Sequence, residues 1–215
     1  MKRDATIYPI ADLTDRLNQL DFNPGSLDDI YTGKLSLVSG KIIYSPSVDA
    51  IPIREFPHKD NKLEGCIEIH QMPEVDKDGI VYGNRYIAGL DPYDDDASMT
   101  LSLGSLYILD LWTDSIVFEY TGRPLFAADF YETCRKALLF YNAKCNYENN
   151  KKGLFTHFSK MNSLYLLTDT LDFLKDLNMM KEGLYGNKVK GTISSAPIKA
   201  YGRRCIRDWL LKPIT

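Results

Sequence analysis

The rhythm of apolar and polar positions changes near residue 80. Before it, apolar residues come in short bursts. Leu13, Leu17 and Leu20 repeat at helical spacing over residues 10–20. Leu35-Ser36-Leu37-Val38 and Ile42-Ile43-Tyr44 flank Ser39-Gly40-Lys41, and Cys66-Ile67-Glu68-Ile69 precedes Pro73. The pattern predicts a short helix, one or two hairpins and an edge strand, interrupted by the turn-rich Asn23-Pro24-Gly25 and a proline-bearing stretch at 51–57. Residues 1–80 are therefore expected to form an irregular N-terminal extension or linker, and residues 81–215 a folded domain.

From residue 82 onward the segments lengthen. The continuous apolar run at 86–90 predicts a buried strand; 105–112 and 116–120 predict two more, with Thr113-Asp114-Ser115 as the turn between them. Three strands joined by short turns make an antiparallel meander. Residues 126–141 then read as a helix with Phe130, Ala137, Leu138 and Tyr141 on one face and Asp129, Glu132, Arg135 and Lys136 toward water. Its length permits a crossover to a parallel strand at 143–147. A short helix follows over 149–160, carrying Leu154, Phe155 and Phe158, with His157 as a satisfied helix residue. Leu164-Tyr165-Leu166-Leu167 predicts a fifth strand and 171–177 a helix. This order resembles the ribonuclease H-like fold: an α/β architecture with a mixed five-stranded sheet, three antiparallel strands then two parallel, flanked by helices. In it the first and fourth strands are neighbours.

Composition fits a globular protein of one sizeable core: 215 residues, 44% hydrophobic and 12% aromatic. Asp and Lys within the first 15 residues exclude a secretory leader there, and the apolar runs are too short and too charged to cross a bilayer, so an intracellular site with no membrane partner is expected. Cys66, Cys134, Cys145 and Cys205 form no C-x-x-C pair, which reads as reduced thiols rather than a zinc site. The net charge of -3 conceals an asymmetry. Eight basic residues lie from position 181 onward, with only Glu182 and Asp208 as acids, whereas 18 basic and 27 acidic residues come earlier. A basic tail beside an acidic centre suits the holding of a phosphate backbone; a solvated helix face is the alternative.

Two acids stand where predicted strands run out into polar loops: Asp91, closing Tyr86-Ile87-Ala88-Gly89-Leu90-Asp91-Pro92, and Glu148, in Tyr147-Glu148-Asn149-Asn150. Carboxylates gathered at strand ends offer the hard oxygen ligands that Mg²⁺ or Mn²⁺ needs while leaving positions for water and phosphate. Singly, each is also an ordinary turn or strand-exit residue. Together with the Asp94-Asp95-Asp96 loop and Ala200-Tyr201-Gly202-Arg203-Arg204, they make residues 80–215 resemble the C-terminal nuclease domain of the large terminase subunit of tailed bacteriophages. The resemblance implies an endonuclease cutting concatemeric double-stranded DNA during packaging in the cytoplasm of the bacterial host. The ATPase domain of the terminase, its small subunit and the portal would be its partners. It further implies a two-metal mechanism, with Asp91 bridging both cations and Glu148 on one of them.

The chain departs from that pattern. It has no G-x-x-x-x-G-K-[ST] loop, so a nuclease portion without its motor is expected. The third acid of the family, on a late helix, has no counterpart, and an incomplete metal site of weak or absent activity follows. Asp208 is the acid nearest in sequence to that role; a helix residue salt-bridged to its arginines is the competing reading. The loop acids Asp94, Asp95 and Asp96 could add an oxygen ligand or be simply solvated. For DNA binding the candidates are Lys188 and Lys190, on a hairpin predicted around Gly186-Asn187, and Arg203, Arg204 and Arg207. Other ribonuclease H-like nucleases, resolvase or integrase in type, and a non-catalytic DNA-binding or docking module of the packaging motor remain as alternatives.

Overall fold

A computed structural model describes residues 8, 10–22, 30–47, 49–53, 63–93, 102–150, 152–176 and 189–212. Along the chain run α1 (Ile10–Phe22), β1 (Tyr31–Val38), β2 (Lys41–Pro46), β3 (Cys66–Ile69), β4 (Tyr86–Asp91), β5 (Gly104–Asp110) and β6 (Ser115–Gly122). They are followed by α2 (Ala127–Phe140), β7 (Lys144–Tyr147), α3 (Gly153–Lys160), a 3₁₀ turn at Leu164–Leu166, α4 (Phe173–Asp176) and α5 (Ala196–Leu210). Contacts divide the chain into two compact units, one of Ile30–Leu171 with Gly186–Ile193, the other of Met1–Asp29, Asp172–Tyr185 and Ser194–Thr215.

The first unit is built on a seven-stranded mixed sheet in the order β2-β1-β3-β6-β5-β4-β7. The expected meander is present: β4 pairs antiparallel with β5, and β5 with β6. The crossover through α2 lays β7 parallel to β4. Several expectations are corrected. The sheet has seven strands rather than five, because β3 pairs with β6 and β1 with β3, so residues 31–46 and 66–69 extend the same sheet instead of forming an irregular extension. Cys66–Ile69 is accordingly an interior strand and not an edge. The edge belongs to β2, whose hairpin with β1 turns at Ser39 and Gly40, both at positive φ (50° and 80°). That hairpin demands a glycine at Gly33, where a Cβ would stand 2.2 Å from the Ser45 carbonyl oxygen.

The predicted fifth strand is replaced by the 3₁₀ turn at Leu164–Leu166. Only its last residue reaches the sheet: Leu167 forms an isolated parallel bridge to Cys145, and the Thr168 amide donates to the Cys145 carbonyl at 2.8 Å. A four-residue apolar run does not itself distinguish a strand from a buried turn.

One face of the sheet packs on α2 through period-2 positions of the strands and period-3.6 positions of the helix. Phe130, fully buried, lies 5.2 Å from the Tyr120 ring, and Tyr141 lies 5.3 Å from Tyr86 and 5.7 Å from Phe118. Cys134, Ala137 and Leu138 complete the helix face, and α3 adds Leu154 and Phe158. Arg135 was expected in water but is buried: its guanidinium grips both oxygens of Glu132, at 2.7 and 2.8 Å, and Glu132 also meets His157 of α3 at 3.1 Å. Burial pushes the Glu132 carboxyl up, but Arg135 and His157 outweigh it and hold it below the usual range. Burial also pushes the Cys134 and Cys145 thiols up, which keeps them protonated and inert.

Candidate active site

The run from Tyr86 to Leu90 reads as continuously apolar, yet in the sheet its residues alternate. Tyr86, Ala88 and Leu90 are buried against α2, whereas Gly89 and Asp91 face the opposite way and are exposed. In β7, Cys145 and Tyr147 point inward, and Asn146 and Glu148 stay on the more open side. The parallel register pairs Leu90 with Tyr147, and the Glu148 amide donates to the Leu90 carbonyl at 2.9 Å. Asp91 and Glu148 are therefore successive to paired residues, on one face, at the C-terminal ends of adjacent strands. Neighbouring strands run about 4.8 Å apart, so the two carboxylates spring from backbone that close. With Pro92, Tyr93, Ser102, Leu103 and Asn150 they line a cleft of about 160 Å³.

Each acid is held by an anchored loop. Beyond Asp91 the chain is locked by Tyr93, which is buried, lies 5.4 Å from the Phe130 ring and donates its hydroxyl to the Pro124 carbonyl at 2.9 Å. The Tyr131 hydroxyl donates in turn to the Tyr93 carbonyl. Beyond Glu148, the buried Asn149 donates its amide N–H to the Thr192 carbonyl and its side-chain Nδ2 to the Lys190 carbonyl at 2.6 Å. Asn150 Nδ2 donates to Glu148 Oε1 at 2.7 Å and so orients the carboxylate. Thr192 forms a parallel bridge to Glu148 and donates its hydroxyl to Asn146 Oδ1 at 3.0 Å.

The structure brings Asp91 and Glu148 together and disposes the remaining candidates differently. Asp94, Asp95, Asp96 and Lys188 lie outside the described residues, as do Gly186 and Asn187 of the predicted hairpin. Lys190 is committed to structure, its ammonium pairing with Asp169 at 2.9 Å and donating to the Leu167 carbonyl at 2.9 Å. Arg203, Arg204, Arg207 and Asp208 belong to α5 in the other unit. There Asp208 accepts from Arg207 at 2.8 and 3.0 Å, the salt-bridged arrangement weighed against a metal role. Among the described residues no group of three His, Cys, Asp or Glu side chains is placed to hold a metal ion, and no helix is long and apolar enough to cross a membrane.

No protein-family model matches the chain, and no curated protein matches it. Sequence reasoning passed over Tyr93, Asn150 and Thr192 as partners of the acids. An aromatic placed two residues after a strand-end acid, and an amide two residues after the other, were the available signals.

Chemically, two carboxylates on adjacent strand ends repel one another and present anionic oxygens to a cleft open to solvent. That donor set fits a hard divalent cation such as Mg²⁺ or Mn²⁺, with Asp91 and Glu148 as the residues that would hold it.

Proposed function

We propose that the chain is a metal-dependent endodeoxyribonuclease of ribonuclease H-like type, similar to the nuclease domain of a phage terminase large subunit, hydrolysing phosphodiester bonds of double-stranded DNA. The observation that carries this reading is the register that sets Asp91 and Glu148 side by side on one cleft. The strand order β6-β5-β4-β7, with β4 and β7 parallel and Leu167 beside β7, supports the fold assignment. Bound Mg²⁺ or Mn²⁺ would supply an acidified water and neutralise charge developing on the phosphate. The protein's own contribution is positional. Asn150 fixes the rotamer of Glu148, the Tyr93 lock fixes the backbone that carries Asp91, and Asn149 ties the second acid's loop to residues 190–192. The biological setting that belongs to this reading is the cytoplasm of a phage-infected bacterium, with concatemeric DNA as substrate and the packaging ATPase, small terminase subunit and portal as partners.

The test is cleavage of supercoiled plasmid by the purified chain in Mn²⁺ or Mg²⁺ and in EDTA, beside Asp91→Ala and Glu148→Ala. Nicking that needs the metal and vanishes in both folded variants is the expected result. Cleavage that survives either substitution, or the absence of any cleavage by the parent chain, overturns the reading.

A further inference from the structure

The acids that would hold a cation also repel a phosphodiester, so a strand entering the cleft needs cationic groups beside them. Among the described residues, Arg123 and Lys152 meet that need, and neither was a candidate from the sequence. Arg123 follows the C-terminal end of β6, which runs parallel to β4 two strands away. Its Nη1 donates to the Ser102 carbonyl at 2.8 Å, and its guanidinium lies 4.5 Å from the ring centre of Tyr93. Both Ser102 and Tyr93 line the cleft. Lys152, which follows β7 along the chain, is exposed and donates to Asn149 Oδ1 at 2.9 Å, next to the Asn150 that lines the cleft and orients Glu148.

We propose that Arg123 and Lys152 are phosphate-contacting residues that hold the DNA backbone beside the Asp91 and Glu148 cleft, which rests on the nuclease reading for the identity of the strand. The stack on Tyr93 fixes the plane of the Arg123 guanidinium, and a planar fork of five N–H donors held in one orientation is suited to bidentate contact with phosphate. The Tyr93 ring also packs against the buried Phe130, so the cation is positioned from the hydrophobic core. Lys152, on a flexible stem, acts as a point charge at the start of α3. Lys190, drawn to Asp169, is not needed in this arrangement.

The experiment is binding of a fluorescent DNA duplex by the full chain in Ca²⁺, across a salt series, for the parent, Arg123→Ala, Arg123→Lys, Lys152→Ala and the double alanine variant, with melting temperatures as the control for folding. Each contact to a phosphate contributes about 0.9 to the slope of log K against log salt, so each alanine variant should lose about one unit and the double variant about two. Arg123→Lys should keep the slope and bind more weakly, a separation that a purely structural role would not produce. Unchanged slopes in folded Lys152→Ala and folded Arg123→Ala overturn the clamp; if Arg123→Ala does not fold, Arg123→Lys binding as tightly as the parent, together with an unchanged slope in Lys152→Ala, overturns it. Cleavage of plasmid by the parent chain in Mn²⁺ is scored separately. Slope losses without cleavage sink the nuclease reading alone, and cleavage with unchanged slopes sinks the clamp alone.

Discussion

At the scale of single residues, the site depends on side chains that do no chemistry themselves. Asn150 donates to Glu148 at 2.7 Å, and removing such a partner of a metal-ligating group commonly costs about 10- to 100-fold in metal affinity or activity. Asn150→Ala should lower plasmid cleavage within that range and raise the Mn²⁺ concentration needed for half-maximal rate, whereas Asp91→Asn should cut below detection at any metal concentration. A second residue-scale expectation concerns stability. Asp110 is fully buried, accepts from Arg85 Nε and Nη2 at 2.7 to 3.0 Å, and accepts from the Trp112 amide at 2.9 Å. Burial alone pushes its carboxyl up, but these hydrogen bonds prevail and hold it below the ordinary carboxylate range. A depressed folded pKa means stability that is present above the unfolded value of about 3.9 and is lost as pH falls through the folded value. Asp110→Asn leaves Arg85 buried without its counter-charge and should cost about 3–5 kcal/mol at pH 7. Urea midpoints compared at pH 7 and pH 3 should show a smaller acid-side loss in the variant than in the parent.

At the scale of elements, α2 was legible because its apolar positions repeat at 3.6, a period set by local backbone geometry, and β4 because its short apolar run is continuous and bounded by turn residues. The segment at 164–167 was misread because four apolar residues carry no period, and contacts with Cys145 decided its shape. The β1–β2 hairpin was visible as turn chemistry, but its place in the sheet was not, since β1 buries only Gly33 and Leu35 and offers little apolar alternation. The segment closing the edge of β7 turns on Gly191, at a φ of 75°, where a Cβ would stand 2.6 Å from the Tyr147 carbonyl oxygen. Gly191→Ala combines a left-handed backbone with a backbone clash and should destabilise the protein by about 1–3 kcal/mol. It should also reduce cleavage, because Thr192 and Asn149 would lose their register with Glu148; thermal melting and plasmid nicking of the same preparation measure both.

At the scale of the whole molecule, the seven-stranded sheet argues against a boundary near residue 80. Ile67 and Ile69 of β3 are buried in the same core as Phe118 and Tyr120, and β3 pairs with β6 over four residues. Burial of each isoleucine is worth about 1.5–3 kcal/mol, and the strand also covers the β6 edge. A fragment of residues 81–215 should therefore aggregate or show only molten character by circular dichroism and dye binding, whereas one of residues 30–215 should retain a cooperative melting transition for the sheet unit. A fragment 81–215 that melts cooperatively near the temperature of the full chain would restore the earlier boundary.

From the sequence alone came the three meander strands, the helix α2, a crossover long enough for a parallel return and the two strand-end acids, since each rests on apolar and turn patterns within a few residues. Tertiary structure alone decided that Asp91 and Glu148 fall on one face in adjacent register, because a shift of one residue in β7 would turn Glu148 toward the core. It also decided the lock of Tyr93 by Tyr131 and Pro124, 38 and 31 residues away, and the placing of Arg123 over Tyr93. Those contacts join parts of the chain with no local signal in common. Their geometry exists only once the sheet has assembled on α2.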